Sequence, residues 1–128
     1  MTSNIKILAI DDEEFNLDII SECLSHTGYE VILAEDGYVG LQKLSQNPGI
    51  AVIVLDRIMP RMGGMEFLKQ VKSDPRFRDI PVILQTIDGE EQIREGMKHG
   101  IYKCLIKPYA DEELVKMVKD ALCSVKKV

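Results

Sequence analysis

The sequence predicts an α/β fold, a doubly wound parallel sheet with helices on both faces, and three observations predict it. Short runs rich in Val, Ile and Leu alternate with longer stretches of helical period; turn residues mark each changeover; the unit repeats five times in 128 residues. Continuous apolar runs, without polar alternation, belong to strands covered on both faces, as in parallel sheets. Right-handed crossovers between such strands give a three-layer sandwich, and a closed barrel needs more units than this chain holds. The length fits one domain over 1–128, its core spanning about 5–125, with no linker, repeat or low-complexity tract.

The first strand is predicted from Lys6 to Ile10. A helix follows, with Phe15, Ile19, Ile20, Cys23 and Leu24 as its apolar stripe, Asp18 and Glu22 on the wetter side, and a stop before Gly28. Val31 to Ala34 is the second strand and Val39 to Leu44 a short second helix. Ala51 to Leu55 is the third strand; Gly63-Gly64 opens a third helix from Met65 to Val71, which ends before Asp74-Pro75. Val82 to Gln85 is the fourth strand. The fourth helix, Glu90 to His99, carries Gly96 in its interior, at a cost of about 1 kcal/mol relative to Ala, and is therefore the most easily displaced. Tyr102 to Ile106 is the fifth strand. The last helix runs from Asp111 to Val125, with Asp111-Glu112-Glu113 at the positive end of its dipole and Lys126-Lys127 beyond the other.

Charge and composition exclude several classes. Sixteen Lys plus Arg against 21 Asp plus Glu leave a net charge of -5, which disfavours general attraction to nucleic acid or anionic lipid. The longest aliphatic run, Ile50 to Leu55, falls far short of the roughly 20 residues that span a bilayer. No export signal precedes the first strand, so the expected location is cytoplasmic. Cys23, Cys104 and Cys123 are odd in number and lack CxxC spacing, which fits reduced core thiols rather than disulfides or zinc. No P-loop, GxSxG elbow or HExxH motif is present.

Ligands of doubly wound sheets bind at the carboxyl ends of the strands. The residues there are Asp11-Asp12, Asp56, Thr86 and Lys107-Pro108. Three carboxylates in one crevice repel unless one is protonated or a cation neutralises them, and an oxygen-only donor set suits Mg²⁺. Asp56 has the place of a nucleophile towards phosphorus, with Lys107 and Thr86 as cationic and hydroxyl partners of a transferring phosphoryl group. Both isomers of the Lys107–Pro108 bond stay open. Singly, each piece has an ordinary structural role: acids at a helix start, a loop cap, a helix N-cap, a surface turn. Their coincidence at four of five strand ends is what favours chemistry.

The acidic pair Asp11-Asp12, the run Asp56-Arg57-Ile58-Met59-Pro60 leading to Gly63-Gly64, Ile80-Pro81-Val82-Ile83 leading to Thr86, and Gly100 through Lys107-Pro108 form an ordered set. On these motifs the chain resembles a response-regulator receiver domain of two-component signalling, from Ile5 to about Val125. The resemblance implies a flavodoxin-like sheet of order 2-1-3-4-5. It also implies a phosphoacceptor that assists its own phosphoryl transfer and dephosphorylation rather than an enzyme acting on a separate substrate. Asp56 would accept the group from a phosphohistidine on a sensor histidine kinase or histidine phosphotransfer protein. Asp12, Asp56 and the Ile58 carbonyl would bind Mg²⁺ directly, and Asp11 through a water. Thr86 and Lys107 would engage the phosphoryl group, and a face formed by helix four, strand five and helix five would switch towards a downstream effector.

The chain departs from the family pattern at three places. Three residues before Lys107 the family usually has an aromatic, and here stands Cys104; Tyr102, read as lying on the same strand face, is a candidate substitute. Ile87 replaces the usual small residue after the threonine and is expected to slow phosphoryl exchange or water attack. Tyr102-Lys103 replaces the acidic residues of many DNA-binding relatives. Two other classes stay in view: a receiver-like binding module that works without phosphorylation, and an Mg²⁺-dependent aspartyl phosphatase. The second lacks a general acid two residues after Asp56, where Ile58 stands, and a cap for substrate.

Overall fold

Residues 5–56, 62–87 and 90–126 are described by a computed structural model. Ten elements alternate in order: β1 (Lys6–Ile10), α1 (Glu14–Ser25), β2 (Glu30–Ala34), α2 (Gly37–Gln46), β3 (Ile50–Asp56), α3 (Gly64–Ser73), β4 (Val82–Thr86), α4 (Glu90–Lys98), β5 (Lys103–Ile106) and α5 (Asp111–Lys126). All strand pairs are parallel and the order is β2-β1-β3-β4-β5. The doubly wound sheet and its order are as expected from the sequence.

Two apolar clusters explain the layers. On one face Leu8, Ile10, Ile53, Leu55 and Leu84 meet Leu44 of α2 and Phe67, Leu68 and Val71 of α3. On the other, Ile7, Ala9, Val52, Val54 and Ile83 meet Leu17, Ile20 and Leu24 of α1 and Leu114, Val118 and Ala121 of α5. Successive residues of the central strands feed opposite clusters, so both faces are dry and the strands read as unbroken aliphatic runs. Full burial of each such side chain contributes about 2 kcal/mol.

Local signals set the element ends. Asp36, buried, caps α2 by accepting from the Val39 N–H at 2.9 Å, which starts that helix at Gly37, earlier than Val39. Gly28, at φ +91°, follows α1 in a left-handed conformation that suits glycine. Glu113 accepts from the Ala110 N–H at 3.1 Å and secures the start of α5.

Three expectations are corrected. In α1 the core row is Leu17, Ile20 and Leu24, whereas Phe15 and Ile19 are exposed at 73% and 42%. Both rows recur at helical spacing, and the sheet takes the one that lies on the opposite side of the 3.6-residue turn from Phe15 and Ile19. Cys123 is exposed rather than a core thiol, although all three cysteines are free. Tyr102 packs with the α1/α5 cluster and Cys104 with the opposite one, so they do not share a face. The physical reason is that β5 begins at Lys103, after Tyr102, and strand alternation does not reach back past its first residue.

Candidate functional site

Because the strands are parallel, β1, β3, β4 and β5 all end at one rim, and their last or next residues are Asp11, Asp56, Thr86 and Lys107. Asp11, Asp12 and Asp56 each offer a carboxylate oxygen, and these atoms lie within 4.8 Å of one another. The Lys107 Nζ donates to Asp56 Oδ1 at 3.2 Å and stands 3.8 Å from Asp11 Oδ2. The Lys107 N–H donates to the Thr86 carbonyl at 2.8 Å, which ties the end of β5 to the end of β4. The Lys107–Pro108 peptide is cis. Ile58, the remaining expected metal ligand, lies outside the described residues.

Burial and charge are unequal across the acids. Asp11 is fully buried; its Oδ1 accepts from the Glu13 N–H at 3.0 Å, while its Oδ2 makes no hydrogen bond among the described residues. The ordinary role of Asp11 at a helix start therefore occupies one oxygen and leaves the other for the crevice. Burial pushes the Asp11 carboxyl up from its ordinary value. At Asp56, burial first and then the neighbouring Asp11 raise the carboxyl to about 6, against the opposing pull of Lys107. Asp12 is exposed at the mouth.

Asp12, Glu13, Asp56, Gln85, Thr86, Ile87 and Lys107 line a crevice of about 240 Å³. Clustered oxygen donors, an orphaned buried oxygen and raised carboxyl pKa values are the marks of a site that fits a hard divalent cation. Two groups at this end of the sheet are absent from the sequence prediction of the site. Gln85 is 1% exposed and follows the three aliphatic residues that open β4, and Tyr109, two residues after Lys107, donates its hydroxyl to Gln85 Oε1. A glutamine at the end of the buried run Val82-Ile83-Leu84 was the available signal.

The family model described as the response regulator receiver domain matches residues 7–119. The chain belongs to that family. This receiver domain is 34% identical over 120 residues to the chemotaxis protein CheY1 of Helicobacter pylori, covering 92% of this chain and 97% of that protein. It is 32% identical to the phosphate regulon transcriptional regulatory protein PhoB of Escherichia coli, over 89% of this chain and 50% of that one. The solved structure of the chemotaxis response regulator CheY4 of Vibrio cholerae superposes with a TM-score of 0.88 at 33% identity, over 94% of this receiver and all of that chain. The receiver is thus a signalling domain of two-component systems. No described helix is long and apolar enough to cross a membrane.

Proposed function

We propose that Asp56 is the phosphoacceptor of this receiver, taking its phosphoryl group from a phosphohistidine on a sensor histidine kinase or histidine phosphotransfer protein. The observation that carries this is the carboxylate of Asp56 at the end of β3, 3.2 Å from a lysine ammonium and grouped with two further acids. A carboxylate oxygen of Asp56 forms a bond to phosphorus as the phosphorus–nitrogen bond breaks; the electron pair leaves on the imidazole nitrogen, which takes up a proton. Lys107 meets the charge on the equatorial oxygens and Thr86 supplies a hydroxyl beside them. Asp11, Asp12 and Asp56, with the Ile58 carbonyl, would hold Mg²⁺, which supplies positive charge against both the acids and the phosphoryl oxygens. The same groups serve attack by water on phosphorus, which breaks the bond to the Asp56 oxygen, returns the carboxylate and releases inorganic phosphate, so the domain assists its own phosphorylation and dephosphorylation.

The downstream partner is an effector protein or domain that meets the face of α4, β5 and α5. Met97 and Ile106 support this face, being 58% and 46% exposed apolar side chains on adjacent elements. The acidic net charge of -5 goes with protein partners rather than nucleic acid or membrane, the location is the cytoplasm, and residues 1–128 make up a single domain.

The test is intact mass after incubation with Mg²⁺ and acetyl phosphate. Wild-type protein is expected to gain one phosphate and Asp56→Asn none; an adduct of the same yield on Asp56→Asn would overturn the assignment, and no adduct on wild type would favour the phosphorylation-independent module.

A further inference from the structure

The acidic crevice is not the only cavity that reaches Lys107. A second one, of about 280 Å³, is lined by Asn16, Ile19, Pro108 and Tyr109, and Gln85 and Lys107 line both. Gln85 is an odd choice for that position on packing grounds alone. A buried amide is costly unless its donors and acceptor are used, and an aliphatic residue would continue the pattern of β4. Its Oε1 is used, by the Tyr109 hydroxyl; its Nε2 makes no hydrogen bond among the described residues.

Register places that idle donor. Gln85 of β4 is the parallel partner of Asp56 of β3, and register partners project from the same face of a sheet at neighbouring-strand spacing, about 5 Å. Gln85 therefore projects from the same sheet face as the carboxylate that Lys107 now pairs with at 3.2 Å. When an Asp56 oxygen carries a phosphoryl group, the greater negative charge lies on the phosphoryl oxygens and draws the ammonium away. Tyr109 holds the amide plane from behind, and burial together with the charge of Asp11 keeps its hydroxyl protonated as the donor.

Resting on the reading of Asp56 as phosphoacceptor, we infer that Gln85, anchored by the Tyr109 hydroxyl, is a positioning residue of that site. In register with Asp56 and lining both cavities with Lys107, it fixes the position from which the Lys107 side chain reaches Asp56 and then turns to the phosphoryl group. The pair also joins the strand end that carries Thr86 to the loop that follows Lys107, so the two groups flanking the phosphoryl position are fixed relative to each other by a side-chain strut as well as by the backbone hydrogen bond.

The experiment measures phosphate uptake from acetyl phosphate by intact mass, with Mg²⁺ affinity determined separately, for Tyr109→Phe and Gln85→Met, each in the wild-type and the Lys107→Met backgrounds. Each single variant is expected to slow uptake about tenfold with unchanged Mg²⁺ affinity, the scale of a lost supporting contact. In the Lys107→Met background the same substitutions should have almost no further effect, because they act through Lys107. Unchanged uptake, or a full tenfold loss that persists without Lys107, would overturn the inference. Should Gln85→Met not fold, Tyr109→Phe reads the same coupling with only a hydroxyl removed. In wild-type protein the Gln85 side-chain amide resonances are expected to shift as Lys107 turns on addition of Mg²⁺ and beryllofluoride, and unmoved resonances would overturn the placement of Gln85 against Lys107. Wild type that takes up no phosphate overturns the phosphoacceptor reading itself, whereas normal uptake by every Gln85 and Tyr109 variant overturns this inference alone.

Discussion

At Asp56 the fold works against the charged form: burial and Asp11 raise its carboxyl to about 6 even with Lys107 at 3.2 Å. An unfolded aspartate titrates near 3.9, so between about pH 4 and pH 6 the native state binds more protons than the unfolded chain. Stability therefore falls as pH rises through that window, and the penalty is fully present above it. Asp56→Asn is expected to stabilise the metal-free protein by on the order of 2 kcal/mol at pH 7.5 and by almost nothing below pH 4. Urea unfolding at the two pH values checks this, and equal stabilisation at both would contradict it. Ile87, 74% exposed, stands at the lip of the same crevice. Ile87→Ala should open it to water and shorten the acyl-phosphate lifetime roughly threefold, about 0.6 kcal/mol of barrier; an unchanged lifetime would remove the steric role assigned to that side chain. Asp11, Asp12, Asp56, Thr86 and Lys107 were legible from sequence because each follows or ends a recognisable strand. Gln85 and Tyr109 were not, since their hydrogen bond joins residues 24 apart along the chain, and only the pairing of β4 with β5 and the turn after it bring them together.

Among the elements, the strands were the easiest to read and the helices the hardest to orient. Strands buried on both faces leave no ambiguity about which side is apolar, whereas α1 carries two apolar rows and only contact with the sheet chooses between them. The fourth helix shows a different gap. Gly96 looks like a propensity defect in sequence, but a Cβ there would lie 2.8 Å from Ile101 Cδ1 and 3.1 Å from Leu84 Cδ2. Ile101 and Leu84 are themselves buried, so neither side chain yields easily. Propensity alone predicts that Gly96→Ala stabilises by about 1 kcal/mol; overpacking predicts a cost of about 1–3 kcal/mol. The second effect is larger, and chemical denaturation of the variant should show a net loss near 1 kcal/mol. A gain would mean that α4 can slide off the sheet without resistance. Tyr102 belongs to the same lesson: one residue of difference in where β5 begins sends a side chain to the other layer.

For the molecule as a whole, cation binding and folding are one equilibrium. Mutually repelling acids on two distant segments, Asp11-Asp12 and Asp56, are brought together in the native state and lie apart in the unfolded chain, so a divalent ion that binds only the former raises stability by mass action, about 2.7 kcal/mol at a concentration 100 times its Kd. The thermal midpoint is expected to climb with Mg²⁺ at constant ionic strength and to lose most of that rise in Asp12→Asn; an identical rise in the variant would place the ion elsewhere. The order β2-β1-β3-β4-β5 has one more result. Asp56, the proposed acceptor, ends the third strand, Asp11-Asp12 follow the first and Lys107 follows the fifth, and the full set assembles only when all three strands have docked. A nascent, nicked or half-melted copy offers only a solitary aspartate in water, chemically mute to the donor. The signal is thereby reserved for intact molecules, and the topology acts as its own proofreader.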